Sequence, residues 1–336
     1  MSAVPAGSTM NVSDACDDCD RILDTISEGV VAEREFLETV LTAVLARGHV
    51  LIEDVPGTGK TLTARSFASA LGLSFSRVQF TPDLLPADVT GTHVYREGDG
   101  KFEFSEGPIF ANFVLADEIN RAPPKTQAAL LEAMAEGQVT VDGDTHPLPE
   151  PFVVVATQNP VESEGVFPLP EAQRDRFLVK TSIGYPEASA ERGLLRQRTE
   201  RESKAPSVDD VLDPEGVRRL QSVPERVTVD DDILSYLIDI VHRTRRDART
   251  EVGVSPRGSQ RLLEAARSHA VIAGREYVRP VDVQTVGAPV LAHRLVLTTD
   301  ATVDGTTADD VVADVFDSVA VPTVSPAAPE TPAAGE

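Results

Sequence analysis

Apolar positions in the first two-thirds of the chain alternate between helical faces and short continuous runs. Through residues 35–47, Phe36, Leu37, Val40, Leu41, Val44 and Leu45 share one helical face. His49-Val50-Leu51-Ile52 then reads as a buried strand. Thr61 to Leu71 predicts a helix stopped by Gly72, a residue suited to the position just past a helix end. Phe75–Phe80 is strand-like, and Asn112-Phe113-Val114-Leu115-Ala116 is a second buried strand. Residues 123–136 predict a helix opened by proline and closed before Gly137. Phe152–Ala156 and Phe177–Ile183 complete the set of strands. Apolar runs separated by helices predict a parallel sheet covered on both faces.

From about 186 to 295 the strand pattern disappears. Ile233, Leu234, Leu237, Ile240 and Val241 fall at helical spacing behind an Asp-rich start. Ser255-Pro256 opens another helix, with Ser as N-cap and Pro in the first turn. We read this half as a small helical bundle, joined through a linker at about 184–187 where Gly184 and Pro186 break the pattern. Residues 1–20 are small, polar and acidic and are expected to form a disordered tail. The stretch after about 319 is rich in Pro, Ala, Thr and Glu, and we assign 301–336 largely to a second tail. The expected organisation is therefore a tail (1–20), an α/β core (21–184), a helical lid (185–300) and a tail (301–336).

Charge narrows the partners. With 54 acidic against 31 basic residues the net charge is -23, which argues against nonspecific nucleic-acid binding. Only Lys60, Lys101, Lys125, Lys180 and Lys204 are lysines. An acidic, lysine-poor surface suggests adaptation to high salt, where screening relieves self-repulsion. No apolar run approaches the roughly 20 residues of a membrane span, and the start lacks a signal-peptide pattern, so a cytoplasmic protein is expected. Cys16 and Cys19 form a lone C-x-x-C in the expected tail, without the second pair or histidines that a zinc site wants.

Five segments carry chemistry. In the first, a strand runs into Pro56-Gly57-Thr58-Gly59-Lys60-Thr61 and a helix follows. Glycines let backbone N–H groups turn toward phosphate oxygens, and the helix N-terminus adds a positive dipole. Lys60 would neutralise β- and γ-phosphates, the Thr61 hydroxyl would bind Mg2+, and Leu62 follows beside the nucleotide. Asp54 stands where the full G-x-x-x-x-G-K-[ST] pattern has its first glycine. In the second segment, Phe113–Glu118, a strand ends in two carboxylates: Asp117 for Mg2+, through water, and Glu118 to polarise the attacking water. Third, Asn159 ends the strand Val154–Gln158, placed to orient that water or touch the γ-phosphate. Fourth, Arg174 and Arg176 precede the last strand. Arg176 is the favoured arginine finger for a neighbouring subunit, with Arg174 the alternative or a second contact. Fifth, Arg257 sits on the first turn of a lid helix, from which it is expected to reach the γ-phosphate across the interdomain cleft.

In this order the segments resemble the AAA+ superfamily and, within it, the MoxR family. The resemblance rests on Glu53-Asp54-Val55-Pro56-Gly57-Thr58-Gly59-Lys60-Thr61, Asp117 through Lys125, Ala156-Thr157-Gln158-Asn159-Pro160, and Leu169 through Phe177, and it covers residues 21–300. It implies a P-loop NTPase αβα sandwich with a parallel sheet followed by an α-helical lid, using ATP and Mg2+. It also implies one hairpin over 91–106, turned at Gly98-Asp99-Gly100, and a second over 139–145. Val30 and Val31 sit where the family has its adenine pocket, although Ala32 departs from the family's glycine. The family further implies a homo-oligomeric ring, typically hexameric, with chaperone activity toward client proteins and often a partner bearing a von Willebrand factor A domain. Two other readings stay open: a nucleotide-gated binding module with incidental turnover, and a nucleic-acid motor, which the -23 charge disfavours.

Overall fold

The computed structural model describes residues 10–98, 100–161, 165–186, 188–200 and 208–323. Its first element corrects the expectation of an N-terminal tail. Helix α1 (Val12–Gly29) starts at Asn11, whose side chain accepts from the Asp14 amide. Val12, Ala15, Cys19, Ile22, Leu23 and Ile26 recur at spacings of three and four and are buried. The acidic residues occupy the other face. Only 1–9 of the expected tail lies outside the described residues. Cys19 is thus a core side chain, and the Cys16 thiol donates to the Ile272 carbonyl, 3.3 Å away. Helix α2 (Arg34–Leu45) follows, with the apolar face read from the sequence buried.

The α/β core then unfolds in chain order: β1 (Val50–Glu53), α3 (Lys60–Ala70), β2 (Phe75–Gln79), α4 (Pro86–Thr90), the β3–β4 hairpin (Gly91–Arg96 and Lys101–Glu106) and β5 (Phe113–Asp117). Next come α5 (Pro124–Glu136), the β6–β7 hairpin (Gln138–Val141 and Asp144–Pro147), β8 (Val153–Gln158), α6 (Glu171–Arg174) and β9 (Val179–Thr181). Among the described residues, five strands pair in parallel in the order β2-β5-β8-β1-β9. The three central strands are buried on both faces, as their continuous apolar runs require. The buried His49 locks two elements at the sheet's edge. Its Nε2–H donates to the Met134 carbonyl at 3.1 Å, and its Nδ1 accepts from the Val154 amide at 3.0 Å. Burial, offset in part by that carbonyl, pushes its pKa down to about 4, so the ring is neutral.

Both expected hairpins are present, and they touch. The His146 ring stacks on Phe104 at 3.8 Å, and His93 Nδ1 lies 3.0 Å from an Asp142 carboxylate oxygen. Asp99, expected within the first turn, is outside the described residues.

The lid comprises α7 (Ala188–Glu200), α8 (Pro214–Gln221), α9 (Asp231–Arg246), β10 (Thr250–Val252), α10 (Pro256–Ile272), α11 (Pro280–Leu291), β11 (Val296–Leu297), α12 (Thr299–Val303) and α13 (Ala308–Ser318). Two corrections follow. Strands do not vanish here: β10 and β11 pair antiparallel. The C-terminal stretch is not tail from 301 either. Thr307 caps α13 by accepting from the Asp310 amide, and Val311, Val312 and Val315 are buried. Residues 324–336 of the expected tail lie outside the described residues.

One apolar cluster runs through α1, α2, β1 and α3 into α8, α9, α10, α11 and α13. A smaller one fills the opposite sheet face against α5. The sheet is therefore covered on both faces, and the lid shares the larger of the two cores.

Candidate active site

The loop between β1 and α3 is shaped by two left-handed glycines. Gly57 has φ 91° and Gly59 φ 95°, and a Cβ at either would meet nothing within 4 Å, so the backbone angle is what selects glycine there. Gly59 is the N-cap of α3, which begins at Lys60. The Lys60 ammonium donates to the carbonyls of Asp54 (2.6 Å) and Val55 (3.1 Å), and the Thr58 hydroxyl to that of Val55 (3.3 Å). Pro56 and Gly57 are exposed, whereas Thr58, Gly59, Lys60, Thr61 and Leu62 are half-buried. The result is a glycine-bent backbone turn that carries a cation, a helix N-terminus and the Thr61 hydroxyl, groups that suit a polyphosphate.

Asp54 does not stand in passively for a glycine. Its buried carboxylate accepts from its neighbour's amide, Val55 N, at 2.7 Å. The other oxygen accepts from Ile183 N (3.0 Å) and Gly184 N (2.8 Å), with the Ser182 hydroxyl at 3.5 Å.

The carboxylate pair lies at the end of β5, beside β8. Asp117 is buried, and Thr157, on β8, donates its hydroxyl to it at 2.6 Å. The same Thr157 oxygen accepts from the Glu118 amide at 2.9 Å. Glu118 has left the strand: its φ of 56° and ψ of 51° are left-handed, at a cost of roughly 1 kcal/mol for a residue with a Cβ. This strained turn gives the two carboxylates different partners within one network. Two β2 residues that sequence reasoning missed complete the network. Arg77 donates to Asp117 from Nε (3.1 Å) and Nη2 (2.6 Å), and Gln79 donates to Glu118 at 2.8 Å. Arg121 also pairs with Glu118, at 3.0 Å. Register could have flagged Gln79, which pairs with Asp117 across the β2–β5 ladder. Asn159 is buried just past β8, and its side-chain oxygen accepts from the Val161 amide at 3.2 Å. Since β8 lies between β5 and β1, Asn159 stands between the carboxylates and the phosphate loop.

A hard divalent cation suits this donor set, since the Thr61 hydroxyl and the Asp117 carboxylate are both oxygen ligands. With Arg77 and Thr157 already on Asp117, the fit is to an ion that keeps part of its water shell.

The arginines gather elsewhere. Strands β1 and β9 run parallel, so the phosphate loop leaves the C-terminal edge of the sheet while α6 and residues 175–178 lie at its N-terminal edge, where Leu178 N donates to the His49 carbonyl. Those edges are a strand apart, about 13 Å for four residues. Arg176 donates to the Leu131 carbonyl on α5 at 2.8 Å, and the Arg174 Nε is buried without a hydrogen-bond partner among the described residues. Arg257 is half-exposed, its Nε 4.0 Å from Asp175. Asp175 also pairs with the buried Arg294, 2.8 Å away. This corrects the expectation that Arg257 reaches its own subunit's γ-phosphate. The structure places it with Arg174 and Arg176, at the edge remote from Lys60. Val30 is a core side chain whose amide donates to the Ile26 carbonyl, and Val31 is half-buried at the exit of α1.

Comparison with known proteins finds relatives over most of the chain. Residues 49–179 match the family described as ATPases associated with various cellular activities (AAA), and residues 242–315 match the AAA lid domain. The chain is 43% identical over 330 residues to Chaperone MoxR1 of Mycobacterium tuberculosis, covering 96% of this chain and 87% of that protein. It is 46% identical over 302 residues to the uncharacterized protein YeaC of Bacillus subtilis, covering 90% and 94%. With the Protein MoxR of Paracoccus denitrificans it shares 34% over 291 residues, covering 80% and 85%. The crystal structure of a candidate ATPase from Cytophaga hutchinsonii superposes with a TM-score of 0.85 at 36% identity, covering 92% of this chain and 96% of that one.

Proposed function

The chain belongs to the MoxR family of AAA+ ATPases, and from that premise we propose how its residues convert nucleotide into chaperone-like work on other proteins. The observation that carries the reading is the pairing of a left-handed glycine loop ending in Lys60 with the Asp117-Glu118 network two strands away. Backbone amides of 57–61, Lys60 and the N-terminus of α3 hold the phosphates. Val31 and Leu62, both half-buried, line the nucleoside side, with Val30 in the core beneath them. Mg2+, held by Thr61 and by Asp117, supplies neutralisation of phosphate charge. Glu118 takes the proton of the attacking water, and Asn159 orients that water. Thr157 fixes the Asp117 carboxylate and the Glu118 backbone amide at once, and Gln79 and Arg121 hold the Glu118 side chain.

The edge-to-edge separation within one chain supports a site completed by a neighbour. Arg176, with Arg174 beside it, and Arg257 point to use on an adjacent subunit of a homo-oligomeric ring, with a hexamer as the family's usual form. Arg257 then acts in trans, alongside the finger. The shared apolar core of α2 and the lid argues against a wide opening between core and lid, so ring contacts and the paired hairpins are the parts we assign to client handling. A partner with a von Willebrand factor A domain, a cytoplasmic site of action and a salt-adapted acidic surface belong to the same reading. Among the described residues no helix is long and apolar enough to cross a membrane.

Replacing Glu118 by Gln should leave ATP binding within about threefold and lower turnover 10²- to 10⁴-fold. Turnover near the wild-type rate would overturn the assignment of Glu118. Mixing Arg176→Ala with Lys60→Ala subunits should restore part of the lost activity, and a mixed ring without rescue would remove Arg176 as a finger.

A further inference from the structure

Asp54 occupies the one position where the phosphate loop departs from the general pattern, and its contacts run in two directions. Its carbonyl accepts from the Lys60 ammonium at 2.6 Å. Its carboxylate, in a residue only 6% exposed, reaches the other way, to Ile183 N at 3.0 Å and Gly184 N at 2.8 Å. These consecutive amides converge on one oxygen, and the chain turns directly after them at Gly184, which is left-handed, with φ 72°. A buried carboxylate is costly unless donors satisfy it, so this contact is built. A glycine at 54 could make none of it, and within the loop itself the carboxylate satisfies only the Val55 amide. Residues 182–184 are the stretch by which the chain leaves β9 toward α7 and the rest of the lid.

We propose that Asp54 is a positioning residue that reports the state of the phosphate loop to the linker between core and lid. The ammonium of Lys60 has three N–H donors, and two are spent on the carbonyls of Asp54 and Val55. Engaging phosphate draws Lys60 off the Asp54 carbonyl. The peptide units around residue 54 reorient, and the carboxylate carries that change to Ile183 and Gly184. The linker thus tightens when the loop is filled, without any opening of the shared apolar core. This rests on Lys60 being the phosphate ligand.

The test uses the full-length chain, with Mg2+ and a non-hydrolysable ATP analogue as probe. Hydrogen exchange is followed by mass spectrometry on peptides spanning 181–187. In the wild type the analogue should slow exchange in this stretch at least fivefold. In Asp54→Gly, which restores the usual loop residue, the analogue should bind within about threefold of wild type. Exchange at 181–187 should then be the same with and without it, and kcat should fall at least tenfold with KM little changed. Asp54→Asn, which keeps one acceptor oxygen, should fall between. A fivefold protection retained in Asp54→Gly overturns the proposal and leaves Asp54 a structural residue. If Asp54→Gly does not fold, Gly184→Ala decides on the same criteria, because it displaces the amide from outside the phosphate loop. Lys60→Ala serves as the control: normal binding of the analogue there would refute Lys60 as the phosphate ligand, whatever Asp54 does.

Discussion

Removing the Asp175 carboxylate should separate the two jobs of the segment that carries the finger arginines. Arg294 is 4% exposed, and its Nε lies 2.8 Å from Asp175. Its other nitrogens donate to the carbonyls of Phe177 (2.7 Å), Leu178 (3.1 Å) and Val290. Burial lowers the pKa of this guanidinium, and Asp175 opposes that fall. Deleting one partner of a buried ion pair typically costs about 3–5 kcal/mol, because a charge is left without compensation. Here four carbonyls still accept from Arg294, the backbone carbonyl of residue 175 among them at 3.4 Å, and Asp175 is itself partly exposed, so Asp175→Ala should cost about 3 kcal/mol. Arg257 adds little, since it is half-exposed and 4.0 Å away. The double variant Asp175→Ala with Arg294→Met should be more stable than the sum of the single losses by about 2 kcal/mol. Urea unfolding followed by circular dichroism gives these values. They should be nearly equal at low and high salt, because a buried pair is screened little. Turnover in Asp175→Ala should fall while nucleotide affinity holds, since the disturbed edge is remote from Lys60. A loss under 0.5 kcal/mol, or additive single losses, would show that Asp175 does not fasten the lid to the sheet.

Two further outcomes test the core and the site. His49 stays neutral in the fold with a pKa of about 4 against about 6.5 when unfolded, so the unfolded chain binds the extra proton between those values. The His49 contribution is therefore full above about pH 6.5 and falls by about 3 kcal/mol toward pH 4; burial lowers the pKa of His293 as well and adds to the same slope, so His49→Gln should reduce the slope without abolishing it in pH-dependent urea titrations, and an unchanged slope would exclude His49 as a source. Thr157→Val keeps the shape but orphans the Glu118 amide and frees Asp117 on one side; turnover should drop at least tenfold for a stability loss of about 1–2 kcal/mol, and equal activity would show that Thr157 does not align the pair.

The nucleotide loop, the carboxylate pair and the parallel strands of the core were legible because each is written locally, in a glycine spacing or an apolar run ending in acids; the order of those strands in the sheet was not. Helix α1 escaped because its buried face is built partly from Ala15 and Cys19, small residues that hardly register as apolar, among Asp14, Asp17, Asp18 and Asp20. Helix α13 hid in the same way, with two aspartates in its first turn. Arg77 and Gln79 gain meaning only from the β2–β5 register, which joins residues 40 and 39 apart from their carboxylate partners. The destination of Arg257 depends on which edge of the sheet the lid packs against. Tertiary packing decides that, and no spacing along the chain records it.

The continuous apolar cluster makes sequence order a poor guide to what can be inherited or cut as a unit. Helices α1 and α2 precede the nucleotide loop in the chain, yet they pack against α10, some 230 residues downstream. A fragment ending at residue 184 would leave the α2 face without its cover, and one starting at 185 would bare α10. Exchange of modules between relatives should therefore respect a different seam: α1, α2 and the lid travel together, and the hairpins, which sit on the other side of the sheet, are free to vary.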